Sequence, residues 1–552
     1  MHLVEVVLVL IAVCIGFALV ARRLALPYAV VLVLGGMALA LIPNAPRVAL
    51  PPEFALAFFL PPLLQASAYR TDWRGFRANL RPILLLALGC VVFTALFIAV
   101  VAKLLVPEMP WWAAIALGAI VAPPDAVAAA AVLSRLRLPR RIVTVLEGES
   151  LINDASALIL YRVAILAVAA GTASFGEALL QFLLVGAGGA VIGVVLGRLA
   201  IWAVARLEDP LLETALSFLL CYAAYLGAEA LHVSGVIAVV AAGLLLGQAQ
   251  YRAFSPETRV FARAVWQFIE FILNSLVFIL IGLQLNHILD RLAGQGIWPL
   301  VGCALAIAAA LIVSRFLWVF PATWLPRLIP ALRQHDPMPP WSHVVIISWA
   351  GMRGVVSLAA ALALPEDFPQ RDLIVFLAFT AILATLVLQG TTLEWLIRRL
   401  GTALPAHAGG VDPAEAEGRS LAYQAALAEI EHRAADPLEG AIAADLLHEY
   451  RDRAGHLHRI ASGHAAAEAE RAARRRIRLA ALEAARQRLL EHHGDGRLHE
   501  EALVRLTQEL DLEELRIRQV LGDERTDAER MAAERARRRH SAPLLFAPRP
   551  HG

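Results

Sequence analysis

Between residues 147 and 156 the chain reads Glu147-Gly148-Glu149-Ser150-Leu151-Ile152-Asn153-Asp154-Ala155-Ser156, and it continues as an apolar run to Ala170. Three carboxylates and an amide thus sit in a segment long and apolar enough to cross a bilayer. An ionised carboxylate at mid-bilayer costs roughly 2.5–3.5 kcal/mol on insertion scales, so a partner or a function must offset it. On an ideal helix Glu147, Ser150 and Asp154 share one face, while Glu149, Asn153 and Ser156 share a neighbouring one. Two faces imply two jobs. One carboxylate ties helices together through a buried salt bridge, and the other stays free to titrate. Desolvation favours the neutral form of such a group and a bound cation favours the ionised form, so proton and cation compete for it.

The rest of the chain must hold these residues in the membrane. Apolar residues make up 59% of the sequence and charged ones 17%, which excludes a soluble globular protein and identifies a polytopic membrane protein. Runs bounded by Pro, Gly and Arg clusters give about thirteen spans, near residues 2–21, 27–43, 53–69, 80–106, 111–134, 142–171, 175–206, 211–230, 232–250, 262–290, 297–330, 341–365 and 370–400. Connections after odd-numbered spans are rich in arginine, among them Arg22, Arg70, Arg81, Arg135, Arg137, Arg141 and Arg398. Those after even-numbered spans hold little beyond Arg47, Lys103, Arg291 and Arg371. The positive-inside rule then places the N-terminus outside and everything after residue 400 in the cytoplasm. The first run lacks a basic leader and reads as a retained helix. Cys14, Cys90, Cys221 and Cys303 have no paired or metal-ligand spacing and read as small core residues.

Three polar clusters meet near the midplane when depth is counted at 1.5 Å per residue. Asp154 lies about 18 Å along span six, Asp125 about 21 Å along span five, and Arg353 about 18 Å along span twelve. Spans five and twelve carry helix breakers at that depth, Pro123-Pro124 before Asp125 and Gly351 and Gly354 around Arg353. Broken backbone inside a bilayer is viable only where protein or a wet cavity satisfies it. The two spans run in opposite directions, the pattern of an inverted-repeat transporter whose site lies where two interrupted helices cross. By depth, Arg353 is the natural partner for one carboxylate. Gly189, Gly193 and Gly197 form a small-residue ridge that reads as a packing seam. Gln267, Glu270 and Asn274 form a polar stripe that either lines a funnel or anchors packing. Glu229 and His232 read as interfacial, and Arg162 and Arg315 as snorkelling or locally paired. Glu147 lies nearest the cytoplasmic entrance.

With Phe59-Leu60-Pro61-Pro62-Leu63-Leu64, Ala122-Pro123-Pro124-Asp125-Ala126-Val127, Glu147 to Asp154, His232-Val233-Ser234-Gly235 and Gly351-Met352-Arg353-Gly354, the chain resembles the sodium/proton exchangers of the monovalent cation/proton antiporter family 1. That resemblance covers residues 1–400. It implies a homodimer in which Asp154 binds the transported Na⁺ or the proton, aided by Asn153, Ser150 and Asp125, while Glu149 pairs with Arg353. It further implies one-for-one, electroneutral exchange, because an Asn-Asp pair stands where the electrogenic branch has two aspartates. Two positions depart from the pattern. Pro124 replaces a common threonine, and Gln65 stands where some relatives carry an acid. With Glu147 and Glu270, Gln65 is counted as a funnel or accessory residue.

Residues 405–552 turn to Ala, Glu, Arg and His and read as a helical cytoplasmic regulatory or oligomer-forming region, in which His492 and His493 are solvent-exposed. It ends in an arginine-rich tail at Arg535, Arg537, Arg538 and Arg539. No enzyme activity, resident cofactor or nucleic-acid partner is expected; lipid is the surrounding partner, and any ligand of the tail is unspecified. Potassium/proton exchange by the same machinery is the alternative. A cation channel fits less well, since channels favour rings or filters over one titratable carboxylate between interrupted spans, and so does an aspartyl protease using Asp125 and Asp154, since the chain has no Gly-x-Gly-Asp run and carries Arg353 at mid-membrane.

Overall fold

The computed structural model describes residues 2–521 except 25, 43–51, 126, 127, 130–132, 134, 135, 137, 171–174, 293–295, 403–412, 435–439, 462–464 and 496. Arg47, Arg135, Arg137, Ala126, Val127 and the basic tail lie outside the described residues. All the regular structure among the described residues is helical. The chain divides into two compact units, Met1–Leu404 and Pro405–Gly552.

In the first unit, α1 (His2–Leu24), α2 (Tyr28–Ala40), α3 (Pro52–Arg70) and the short α4 (Trp73–Ala78) lead to α5 (Leu80–Leu105), which contains a π turn at Leu85–Cys90. Next come α6 (Trp111–Val121), α7 (Arg140–Ala170), α8 (Phe175–Val204), α9 (Pro210–Ala230), α10 (Gly235–Ala253) and α11 (Pro256–Leu283). After the short α12 (Leu285–Arg291) follow α13 (Ile297–Trp324), α14 (Pro330–His335), α15 (Trp341–Trp349), α16 (Val355–Leu362) and α17 (Arg371–Arg399). Nine helices among the described residues are long and apolar enough to cross a membrane, with shorter apolar helices at Tyr28–Ala40 and Trp111–Val121. The sequence-derived count of thirteen is reached by treating α2, α3 and the interrupted segments as crossings too.

Without water in the bilayer, backbone groups freed from a helix need other partners. The π turn of α5 illustrates this. The Trp318 indole N–H donates to the Leu85 carbonyl at 2.8 Å, and the Ser156 hydroxyl donates to the Ala87 carbonyl at 2.6 Å. The turn is thereby tied to α13 and to α7, the helix that carries the acidic run.

The glycine ridge on α8 is a packing seam. A Cβ on Gly189 or Gly193 would overlap the carbonyl of Ser234 or Ala238 on α10, and one on Gly197 would lie 3.1 Å from the Ala242 Cα. Backbones this close leave no room for a side chain. A second seam, absent from the sequence reading, joins α2 to α11 through Gly36 and Gly282, each against the other helix's backbone. The His232-Val233-Ser234-Gly235 run is a helix cap: Ser234 Oγ accepts from the Ile237 N–H at 3.3 Å, and Gly235 seats against Tyr225. Arg162 and Glu229 pair at 2.8 Å in a half-exposed position. The four cysteines are free, three buried and Cys303 half-buried.

The second unit contains α18 (Pro413–Arg433), α19 (Gly440–Ala461), α20 (Ala465–Gly494) and α21 (Glu500–Leu521). Arg486 of α20 reaches Asp511 at 2.7 Å and Glu514 at 2.8 Å on α21. His492 and His493 are half-buried rather than solvent-exposed, a ring nitrogen of His493 lying 2.7 Å from the Leu498 carbonyl. Among the described residues no group of three or more His, Cys, Asp or Glu is placed to hold a metal.

Replacing Gly193 by leucine forces the α8–α10 backbones apart and is expected to cost roughly 1–3 kcal/mol. Thermal melting of the purified chain in detergent should show a clear fall for Gly193→Leu. Gly302→Ala, where nothing lies within 4 Å, should melt like the parent.

Candidate functional site

Two helices break at the centre of the first unit. The helix α6 ends at Val121, and Ala122 to Asp125 are non-helical; α15 ends at Trp349, and Ala350 to Gly354 are non-helical before α16 begins. The sequence dictates both breaks. Proline lacks the backbone donor, and glycine weakens helix continuation. The two extended segments meet, the Asp125 N–H donating to the Met352 carbonyl at 2.7 Å.

Each glycine of the Gly351-Met352-Arg353-Gly354 run is there for close approach. A Cβ on Gly354 would overlap the Asp125 carboxylate, and one on Gly351 would lie 2.6 Å from Cδ of Arg315.

Beside this crossing is a cleft of about 630 Å³, partly open to solvent, lined by Asp125, Asp154, Ser150, Asn274, Ser67 and Ser357 with apolar walls from Leu60, Leu64 and Val356. Asp154 is buried at 8% exposure and lies within electrostatic reach of Asp125. Its polar lining offers hard oxygen donors and no thiol or imidazole. Carboxylate, hydroxyl and amide oxygens suit a hard cation, and either carboxylate can take a proton instead.

Asp125, Asp154 and Ser150, expected as ion or proton ligands, all line this cleft. Asn153 does not. Its amide N–H donates to the Pro124 carbonyl at 2.8 Å, so it props the break from the side of α7, with its own buried oxygen left without a hydrogen bond. Asn274 supplies the cleft-lining member of the stripe on α11. Gln267 is exposed, and Glu270 forms a bidentate pair with Arg70 at 2.6 and 2.8 Å. Glu147 is exposed, within electrostatic reach of Arg70. Gln65 lies away from the cleft, its amide N–H 3.4 Å from the Ser217 carbonyl on α9. Ser67 and Ser357 were not singled out from sequence, because isolated serines on apolar helices are common helix-packing residues.

The expected Glu149–Arg353 pair is corrected by the structure. Glu149 is held by Arg315, which donates from Nη1 and Nη2 at 2.6 and 2.7 Å with both side chains at 1–2% exposure. The reason lies in depth. Glu149 is nine residues from the start of α7 at Arg140, and Arg315 is nine residues from the end of α13 at Trp324. Both therefore sit about 14 Å from the same ends of the bundle. Arg353 is buried in the break instead, its backbone N–H donating to Thr385 Oγ1 at 3.0 Å while Nε and Nη1 make no hydrogen bond.

Comparison with known proteins follows the same lines. A family described as sodium/hydrogen exchanger, transmembrane, matches residues 8–399. An uncharacterised Na⁺/H⁺ exchanger of Mycobacterium tuberculosis is 36% identical over 541 residues, covering 93% of this chain and 96% of that protein. A sodium, potassium, lithium and rubidium/H⁺ antiporter of Bacillus pumilus is 34% identical over 377 residues, 65% of this chain and 56% of the relative. The solved structure of a sodium/proton antiporter from Methanocaldococcus jannaschii shares the fold at 19% identity, with a TM-score of 0.57 over 72% of this chain and 99% of that one.

Removing Arg315 strands Glu149 in the membrane interior, an uncompensated buried charge worth roughly 3–5 kcal/mol. Arg315→Ala should lower the melting temperature and folded yield far more than Arg353→Ala, which leaves the pair intact. The double replacement Arg315→Met with Glu149→Leu should recover most of the loss. Equal losses for the two arginine variants would remove the pair from its structural role.

Proposed function

The chain belongs to the sodium/hydrogen exchanger family, and from that premise we propose that it exchanges Na⁺ or Li⁺ for H⁺ by alternating access, with cation and proton competing for Asp154. The protein is a multi-pass membrane transporter, not an enzyme. The observation that carries the reading is the cleft at the helix crossing, where two carboxylates, an amide and three hydroxyls converge beside Asp154. Asp154 is the exchanging group, Asp125 and Ser150 complete the oxygen shell, and Asn153 holds the break that aims Asp125. Asn274 and Ser357 add donors from α11 and α16.

Electroneutral, one-for-one exchange is supported by the charges around the break. With every group ionised, the carboxylates of Glu149, Asp125 and Asp154 and the guanidinium groups of Arg315 and Arg353 sum to one negative charge. One Na⁺ or one proton neutralises it equally, so both loaded states carry the same charge. The arginine asymmetry of the connections supports residence in the cytoplasmic membrane with the N-terminus outside and the 405–552 unit inside. We further propose a homodimer in lipid, a regulatory role for that unit and no resident cofactor, the transported ion being the only metal. Potassium/proton exchange is the second reading. An oxygen-only shell does not by itself reject K⁺, and the Bacillus pumilus relative is named for sodium and potassium alike.

Acid-loaded vesicles containing the protein should dequench a pH-sensitive dye when Na⁺ or Li⁺ is added, with little response to an imposed membrane potential. Asp154→Asn and Asp154→Ala should abolish the response while inserting normally. Retained exchange in a correctly inserted Asp154→Ala protein would overturn the assignment, and an equal or larger response to K⁺ would decide for the second reading.

A further inference from the structure

A second cavity, sharing no lining residue with the cleft, lies at one end of the bundle. It spans about 620 Å³, partly open to solvent, and its lining includes Arg81, Arg141, Arg327 and His343 with Asp336 as the single carboxylate among its lining residues. Its floor is apolar, including Leu85, Leu86, Val145 and Val319.

The charges do not balance. Asp336 pairs with Arg141 and, at 2.6 Å, with Arg327, whose side chain is 5% exposed and whose guanidinium also donates to the Thr323 carbonyl. Burial works to raise the Asp336 carboxyl, but the hydrogen bonds from Arg141 and Arg327 outweigh it and hold the group below the ordinary carboxylate range, so it is ionised at neutral pH. Arg81 approaches Asp336 only at 4.0 Å. One carboxylate against three guanidinium groups leaves about two positive charges facing a cavity of mixed polarity.

A basic rim above an apolar floor, at helix ends on the arginine-rich side, matches an anionic phospholipid: phosphate at the rim, acyl chain against the floor. We propose that this cavity binds the phosphate headgroup of an anionic phospholipid. Its occupant would bridge the ends of α5, α7 and α15, of which α7 lines the cleft. Arg141 opens α7, which carries Glu149 and Asp154; Arg81 opens α5, whose π turn packs on α7; and His343 lies in the first turn of α15, which runs into the break at Ala350. Binding there would couple the lipid surface to the helices that hold the site.

The test reads binding, not transport, so it stands apart from the exchange reading. The purified full-length chain, stripped of lipid in a neutral detergent, is titrated with phosphatidylglycerol, phosphatidylcholine or inorganic phosphate while thermal stability is followed. Phosphatidylglycerol should stabilise it well beyond phosphatidylcholine. Arg81→Gln should weaken the apparent affinity for phosphatidylglycerol about fivefold, the effect of about one interfacial charge. Arg81→Lys should restore it, and Arg398→Gln, at an exposed arginine outside the cavity, should leave it unchanged. Equal stabilisation by both lipids, an unchanged affinity in Arg81→Gln, or the same loss in Arg398→Gln would overturn the proposal. Stabilisation by inorganic phosphate equal to that by phosphatidylglycerol would overturn the lipid as the source.

Discussion

The buried ion pair between Glu149 and Arg315 is the constraint on which the rest of the site depends. Two charges at 1–2% exposure survive in a low-dielectric interior only when their hydrogen bonds are nearly all made. Both carboxylate oxygens accept from the guanidinium, and the remaining Nε donates to the Ile347 carbonyl at 3.1 Å. Ile347 stands in the last turn of α15, where the break has removed the N–H that would otherwise take that carbonyl. A cation at that helix end also meets the negative end of the helix dipole. One side chain thus pairs a charge from α7, caps α15 and anchors both to α13.

The same accounting governs the other broken backbone. The Met352 carbonyl is taken by the Asp125 N–H, the Pro124 carbonyl by Asn153, and the Arg353 N–H by Thr385. The partners come from the other break, from α7 and from α17, so the two breaks are held from several sides at once. Close approach is the other requirement. Only glycine at 354 lets the Asp125 carboxylate pass the start of α16, and only glycine at 351 lets the Arg315 stem lie along the break. The Gly-x-x-Gly spacing around Met352 and Arg353 is therefore a packing device for two charged side chains.

Much of this was legible in the sequence because depth and periodicity are properties of a single helix. The split of Glu149 and Asp154 onto different faces, the two breaks, their crossing, and the glycine ridge on α8 all follow from spacing and breaker residues. Pairing between helices does not. Arg353 matched the carboxylates in depth, but the choice between it and Arg315 depends on where α13 ends, which placing the span at 297–330 put several residues too late. The role of Asn153 was hidden for a related reason. Its face could be derived, but the carbonyl it needs to satisfy exists only because the neighbouring segment is non-helical at Pro124. The π turn of α5 left no breaker residue to read beyond Gly89, whose space is filled by Trp318.

The charge balance around the crossing also explains why exchange, rather than leak, follows from this arrangement on the proposed reading. With the cleft empty and every group ionised, one negative charge stays uncompensated near the midplane, and moving such a charge through a low-dielectric barrier is costly. A bound proton or a bound monovalent cation removes that cost to the same extent. The loaded forms can therefore reorient and the empty form is held back, which is the condition for tight coupling. Glu149 and Arg315 already hold each other as partners. Arg353 differs: it supplies a fixed positive charge in the break without a carboxylate of its own, and it keeps the deficit at one. Were its charge lost, two negative charges would remain, and a single proton or cation would no longer neutralise the empty site.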